Sequence, residues 1–121
     1  KTLFPYTTLF RSYRIHLTVE ADELDSVGRV MDFSAIKTYL CYWLEEEWDH
    51  KFLVWENDPF AETLKSLDPE GTVVVNFNPT AENMGQYLID VVGPKQLAGT
   101  GVRLVHVNIE ETRKCNVTVG I

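Results

Sequence analysis

From Tyr13 to Glu20 the chain alternates without a break, with Tyr13, Ile15, Leu17 and Val19 on one side and Arg14, His16, Thr18 and Glu20 on the other. A two-residue period marks an extended strand with one buried and one polar face. The fold must therefore contain a sheet whose apolar face is covered by other elements. Two stretches have the spacing to cover it. Phe33, Ile36, Leu40, Trp43, Leu44 and Trp48 recur at helical intervals behind Asp32 or Ser34, either of which can cap the first turn. Met84, Tyr87, Leu88, Val91 and Val92 do the same behind Thr80, and Gly93-Pro94 is expected to end that helix.

The other segments complete an α+β pattern. Gly71 to Phe77 reads as a buried strand, and Val102 to Ile109 and Lys114 to Ile121 as two more, joined in a hairpin by a turn around Glu111 to Arg113. Asp22 to Val27 is a polar turn, and Gly28 can adopt a backbone conformation that other residues resist. Lys51 to Asp68 looks irregular, with a short helix around Phe60 to Ser66. The order β-α-β-α-β-β places both long helices on one face of a mostly antiparallel sheet. Lys1 to Ser12 stand apart, with neither clean alternation nor helical spacing and with Pro5 inside the apolar run. Pro5 to Ser12 resembles translated sequencing-adapter sequence, so residues 1–12 are expected to be foreign and residues 13–121 to form one domain; the alternative is a divergent but genuine N-terminal strand. The same codons found in the parent locus would refute that expectation.

With 121 residues, 45% of them hydrophobic, the chain can build one core. A net charge of −7 argues against a nucleic-acid partner, which calls for a basic stripe. No apolar run approaches the roughly 18 residues a membrane span requires. Cys41 and Cys115 make no disulfide framework and no CxxC, which fits reduced thiols and a cytoplasmic location. Asn116-Val117-Thr118 has the form of a glycosylation sequon, but nothing else points to secretion.

Three polar signatures fall at element ends, where sites form. Trp48-Asp49-His50 follows the first helix, Pro79-Thr80-Ala81-Glu82-Asn83 opens the second, and Ile109-Glu110-Glu111-Thr112 ends a strand. A carboxylate beside an imidazole fixes its tautomer and raises its basicity, which suits acid-base work near neutral pH. The plainer alternative for Asp49 and His50 is a local hydrogen bond. Thr80 is also a good N-cap and Glu82 a good first-turn charge, while Glu110 and Glu111 could be solvated turn residues.

Together with Gly28-Arg29-Val30-Met31-Asp32-Phe33, assigned to the turn and helix start, these signatures resemble the 6-pyruvoyl-tetrahydropterin synthase / 6-carboxytetrahydropterin synthase family from Tyr13 to the C-terminus. The resemblance implies the tunnelling fold, an antiparallel four-stranded sheet with two helices on one face. Sheets from several subunits close it into a barrel, commonly a hexamer of two trimers. It implies that Asp49 and His50 relay protons and that Glu111, followed by Thr112, anchors the pterin ring. Thr80 and Glu82 would reach the pocket of a neighbouring subunit. The implied substrate is 7,8-dihydroneopterin triphosphate, whose phosphates could draw on Lys51, Arg113, Lys114, His106, Arg14 or His16. The length and the run Trp48-Asp49-His50-Lys51-Phe52-Leu53 look more like the 6-carboxytetrahydropterin branch, which leads to queuosine and other deazapurines. The 6-pyruvoyl branch and a metal-free pterin-binding or oligomer-forming module are the alternatives.

The family holds zinc with three histidines, two of them in a His-x-His just before the strand that starts here at Tyr13. That register falls on Leu9, Phe10 and Arg11. The earlier histidine ligand and the reactive cysteine have no counterpart, and Cys41, in mid-helix, is a poor substitute. His16, His50 and His106 occupy other positions. The chain is therefore expected to lack the zinc ligands and to be catalytically impaired.

Overall fold

The computed structural model describes residues 2–10, 13–24, 26–29, 32–49, 51–111 and 116–121. Its strands are β1 (Thr2–Phe10), β2 (Tyr13–Ala21), β3 (Phe52–Trp55), β4 (Thr72–Val75), β5 (Val102–Glu111) and β6 (Asn116–Gly120). Its helices are α1 (residues 33–47), α2 (Ala61–Leu67) and α3 (residues 81–96). The main sheet runs β1-β2-β5-β6 with antiparallel neighbours, and β3 and β4 form a separate parallel pair.

The period of two in β2 does what it predicts, because Ile15, Leu17, Val19 and Ala21 are all buried. On β5 the alternation is interrupted once. The register passes from Thr18↔His106 to Val19↔Leu104, which leaves Val105 as an extra residue. That bulge buries Leu104 and Val105 in succession and keeps Val107 and Ile109 on the covered face. Ile36, Leu40, Leu44 and Trp48 from α1, with Met84, Leu88, Ile89 and Val92 from α3, pack over this face. The opposite face is polar and laddered. Arg103 Nη2 lies 2.8 Å from Glu20 Oε2 and 3.1 Å from Asp22 Oδ1, and Asn108 Nδ2 donates to Thr118 Oγ1 at 2.7 Å. The two carboxylates raise the already high pKa of the Arg103 guanidinium. Gly28 has φ +85, as its place in the turn requires.

Gly93-Pro94 does not end the second helix, which continues to Gln96. Both long helices contain a widened turn with i→i+5 hydrogen bonds, over Lys37–Cys41 and Leu88–Val92. In α3 the Gly93 N–H reaches back to the Leu88 carbonyl. This shift in register relieves the clash between a proline ring and the carbonyl one turn earlier, so the helix absorbs Pro94 instead of stopping there. Gln96 Nε2 then donates to the Tyr39 carbonyl of α1 at 3.0 Å.

The stretch expected to be irregular contains β3, whose partner is β4. Residues 72–75 therefore do not join the main sheet. A βαβ crossover through α2 explains the pairing. Lys65 Nζ fastens that helix to the strand by donating to the Pro69 and Thr72 carbonyls at 2.6 and 2.8 Å. The main sheet gains β1 instead, in register from Thr2↔Ala21 to Phe10↔Tyr13. A backbone ladder is indifferent to the side-chain pattern, and an edge strand tolerates Pro5. The short helix lies within one residue of its expected span, while Thr112 and Arg113 of the expected turn and Lys114 and Cys115 of the expected last strand fall outside the described residues. Among the described residues, no helix is long and apolar enough to cross a membrane.

Helix α3 lies close on the sheet. A Cβ at Gly93 would come within 2.9 Å of Leu104 Cβ and 3.1 Å of the Leu88 carbonyl oxygen. Alanine is the better helix former by about 1 kcal/mol, yet crowding against a packed strand typically costs about 1–3 kcal/mol. Gly93→Ala is expected to lower the urea midpoint, and an unchanged or raised midpoint would refute this packing argument.

Candidate functional site

The relative direction of α1 and α3 decides where the polar signatures lie. Gln96, at the end of α3, bonds the middle of α1, whereas the Trp48 ring, just past the end of α1, stacks 6.0 Å from Tyr87 in the first half of α3. The two helices therefore run antiparallel. Along the sheet, Gly93 sits over Leu104, while a Cβ at Gly85 would come 2.9 Å from Val119 Cγ2 and 3.8 Å from Ile109 Cδ1. The end of α1, the start of α3 and the end of β5 thus share one end of the domain. Asp49, Thr80, Glu82 and Glu111 are attached to those three termini.

An aromatic cluster fixes this end. Trp48 is 1% exposed. It meets Trp43 edge to face at 5.2 Å and also packs against Phe77 at 6.5 Å, while Phe77 lies 5.0 Å from Tyr87. The residue before Asp49 and the loop before Thr80 are therefore clamped to one another. Hydrophobic periodicity reveals Trp48 and Tyr87, whereas Phe77, expected to end a buried strand, lies two residues beyond β4 and joins the aromatic cluster instead.

Asp49 is half-buried in the turn that closes α1, and its N–H donates to the Leu44 carbonyl at 2.8 Å. It lines an open cleft of about 970 Å³ together with Glu47, Lys51, Lys65, Asp68 and Thr72. Thr80 and Glu82 are exposed and do not line that cleft. Thr80 is the N-cap of α3, with φ −79 and ψ 162, and its Oγ1 accepts the Asn83 N–H at 3.2 Å. Such a cap stabilises a helix by about 1 kcal/mol. Glu82 stands in the first helical turn, where a negative charge complements the dipole.

Glu111 is the last residue of β5 and pairs with Tyr13, whereas Glu110 pairs with Arg14. The Arg14–Glu110 ion pair spans 3.6 Å and is largely exposed. Glu110 thus has a partner on the polar face, and position 111 continues the row of Val107 and Ile109. His50, Thr112, Arg113 and Lys114 lie outside the described residues, as does the Glu111 side chain.

Among the described residues, no group of three His, Cys, Asp or Glu could hold a metal ion. His16 and His106 do not make up for this. His16 stands opposite Asn108, while the His106 ring lies across Gly120 on β6, with Nε2 2.9 Å from where a Cβ would sit there. Neither belongs to a group of three ligands among the described residues, so the described donors do not fit a zinc ion.

The fold is that of a solved protein from Wolinella succinogenes, described as uncharacterized, with a TM-score of 0.74 at 23% identity over 89% of this chain and 76% of that one. The class is that of the pterin-metabolism lyases. The sequence profile of the 6-pyruvoyl tetrahydropterin synthase family matches residues 11–120, and the chain belongs to that family. Similar proteins include a 6-carboxy-5,6,7,8-tetrahydropterin synthase of Aquifex aeolicus, 35% identical over 84% of this chain and 66% of that protein. Another, of Rickettsia felis, is 27% identical over 88% of this chain and 78% of its own length.

Proposed function

We propose that this chain is a 6-carboxy-5,6,7,8-tetrahydropterin synthase-like lyase scaffold for 7,8-dihydroneopterin triphosphate, with its catalysis impaired by the loss of the zinc ligands. The carrying observation is that the end of α1, the start of α3 and the end of β5 share one end of the domain. The names of the similar proteins from Aquifex aeolicus and Rickettsia felis favour the 6-carboxy branch.

In this reading the Glu111 carboxylate accepts two parallel hydrogen bonds from the 2-amino group and the adjacent ring N–H of the pterin, and Thr112 flanks it. Asp49 orients His50, which moves protons at the pterin side chain. Thr80 and Glu82 reach the pocket of a neighbouring copy, so the site is complete only in an oligomer, a hexamer of two trimers. Sheet edges paired between copies would close the barrel. The described donors do not fit zinc, so no step is routed through it. A metal-free pterin-binding module is the second reading, favoured by the Leu9-Phe10-Arg11 register that stands where the family has its His-x-His.

Two measurements test the proposal. In a fluorescence titration, biopterin is expected to bind, and a chain that leaves the signal unchanged would sink the pterin reading. In a turnover assay with added zinc, 7,8-dihydroneopterin triphosphate is expected to persist. Rates matching a full-length homologue would overturn the impairment and leave the family function standing.

A further inference from the structure

The signature that opens α3 ends on Asn83, a residue to which the proposed function gives no task. Its backbone N–H serves the Thr80 cap, and its side chain does something else. Asn83 Nδ2 donates to the Asn78 carbonyl at 2.9 Å, and that carbonyl also accepts the Thr80 N–H at 2.7 Å. Two donors converging on one oxygen fix the chain on both sides of Pro79. Phe77, one residue earlier, is held by the Tyr87 and Trp48 rings.

Helix formation alone does not ask for asparagine here. The third residue after an N-cap threonine is best filled by glutamate or glutamine, which reach back to the cap N–H, and a negative charge in the first turn is favourable. The amide of Asn83 therefore serves the loop. We infer that Asn83 is a positioning residue, whose side-chain N–H sets the direction in which Thr80 and Glu82 are presented to the pterin ligand. This rests on the reading of Thr80 and Glu82 as ligand-facing residues.

Asn83→Asp separates the two roles. It keeps the size and the backbone cap, adds a charge that the helix start favours, and removes the donor to Asn78. In the full chain, biopterin affinity measured by fluorescence titration is expected to fall about tenfold, the value of roughly one hydrogen bond. The melting temperature is expected to stay within about 2 °C of the parent. Parental affinity in Asn83→Asp would overturn the inference while leaving the pterin reading intact. Weaker binding accompanied by a clearly lower melting temperature would also overturn it, because that is the mark of a structural residue. A parent chain that binds no biopterin removes the function and this inference together.

Discussion

Trp48→Ala is expected to destabilise the fold by about 3–5 kcal/mol, the range seen when a fully buried large aromatic is truncated. The side chain is 1% exposed and lies at the junction of α1, α3 and the loop before Thr80. It makes ring contacts with Trp43, Phe77 and Tyr87 at 5.2, 6.5 and 6.0 Å. Each well-oriented aromatic pair contributes about 0.5–1.5 kcal/mol beyond the area it buries. No single neighbour can move in to fill the space, because the three partners are anchored on different elements. A domain of this size is stable by only about 5–15 kcal/mol in total. The substitution should therefore remove about a fifth or more of the stability. Urea unfolding followed by circular dichroism measures this directly. Trp43→Ala is the comparison, since Trp43 is half-buried and should cost clearly less. Equal losses from the two variants would mean that Trp48 is not the keystone of this end.

The same cluster shows what could be read from the sequence and what could not. Strict alternation from Tyr13 to Glu20 and the helical stripe ending at Trp48 depend on neighbours in the chain, so both were legible. Thr80 as a cap was legible for the same reason. The bulge at Val105 was not, because it arises from a slip against β2, some ninety residues away in sequence. Phe52–Trp55 is a four-residue apolar run, too short to tell a strand from a buried turn until its parallel partner is found. Thr2–Phe10 has no side-chain pattern of a strand, and its pairing rests on backbone hydrogen bonds that sequence reading does not see. Gly93-Pro94 carries an ordinary stop signal, overridden by a widened turn that accommodates the proline ring without ending the helix.

The candidate site divides in the same way. Each polar signature was legible at its own element end. Their collection at one end of the domain was not, because it follows from the antiparallel course of α1 and α3, set by Gln96 on Tyr39 and Trp48 on Tyr87. The choice of Glu111 over Glu110 rested on the Glu-Thr pairing of the family that the sequence resembles. Arg14 opposite Glu110 adds a physical reason to prefer Glu111.

That preference makes the last prediction sharp. Glu111→Gln is expected to weaken pterin binding by about 30- to 1,000-fold, while Glu110→Gln changes it by no more than about threefold. The 2-amino group and the adjacent ring N–H of a pterin are both donors, and a carboxylate meets both with acceptors. Glutamine keeps one acceptor but turns an N–H toward the second ring donor. One charge-assisted hydrogen bond is lost, the other is weakened, and a donor is left facing a donor, a loss of about 2–4 kcal/mol. Glu110→Gln breaks only a largely exposed ion pair of 3.6 Å with Arg14, and pairs of that kind contribute about 0–1 kcal/mol, to stability rather than to binding. Two adjacent, nearly isosteric changes of one charge each are thus expected to differ at least tenfold in biopterin affinity. Because both remove one negative charge, any effect of net charge cancels in the comparison. Equal affinities in the two variants would mean that the carboxylate at position 111 does not grip the ring, and the reversed order would move the anchor to the face that carries Arg14.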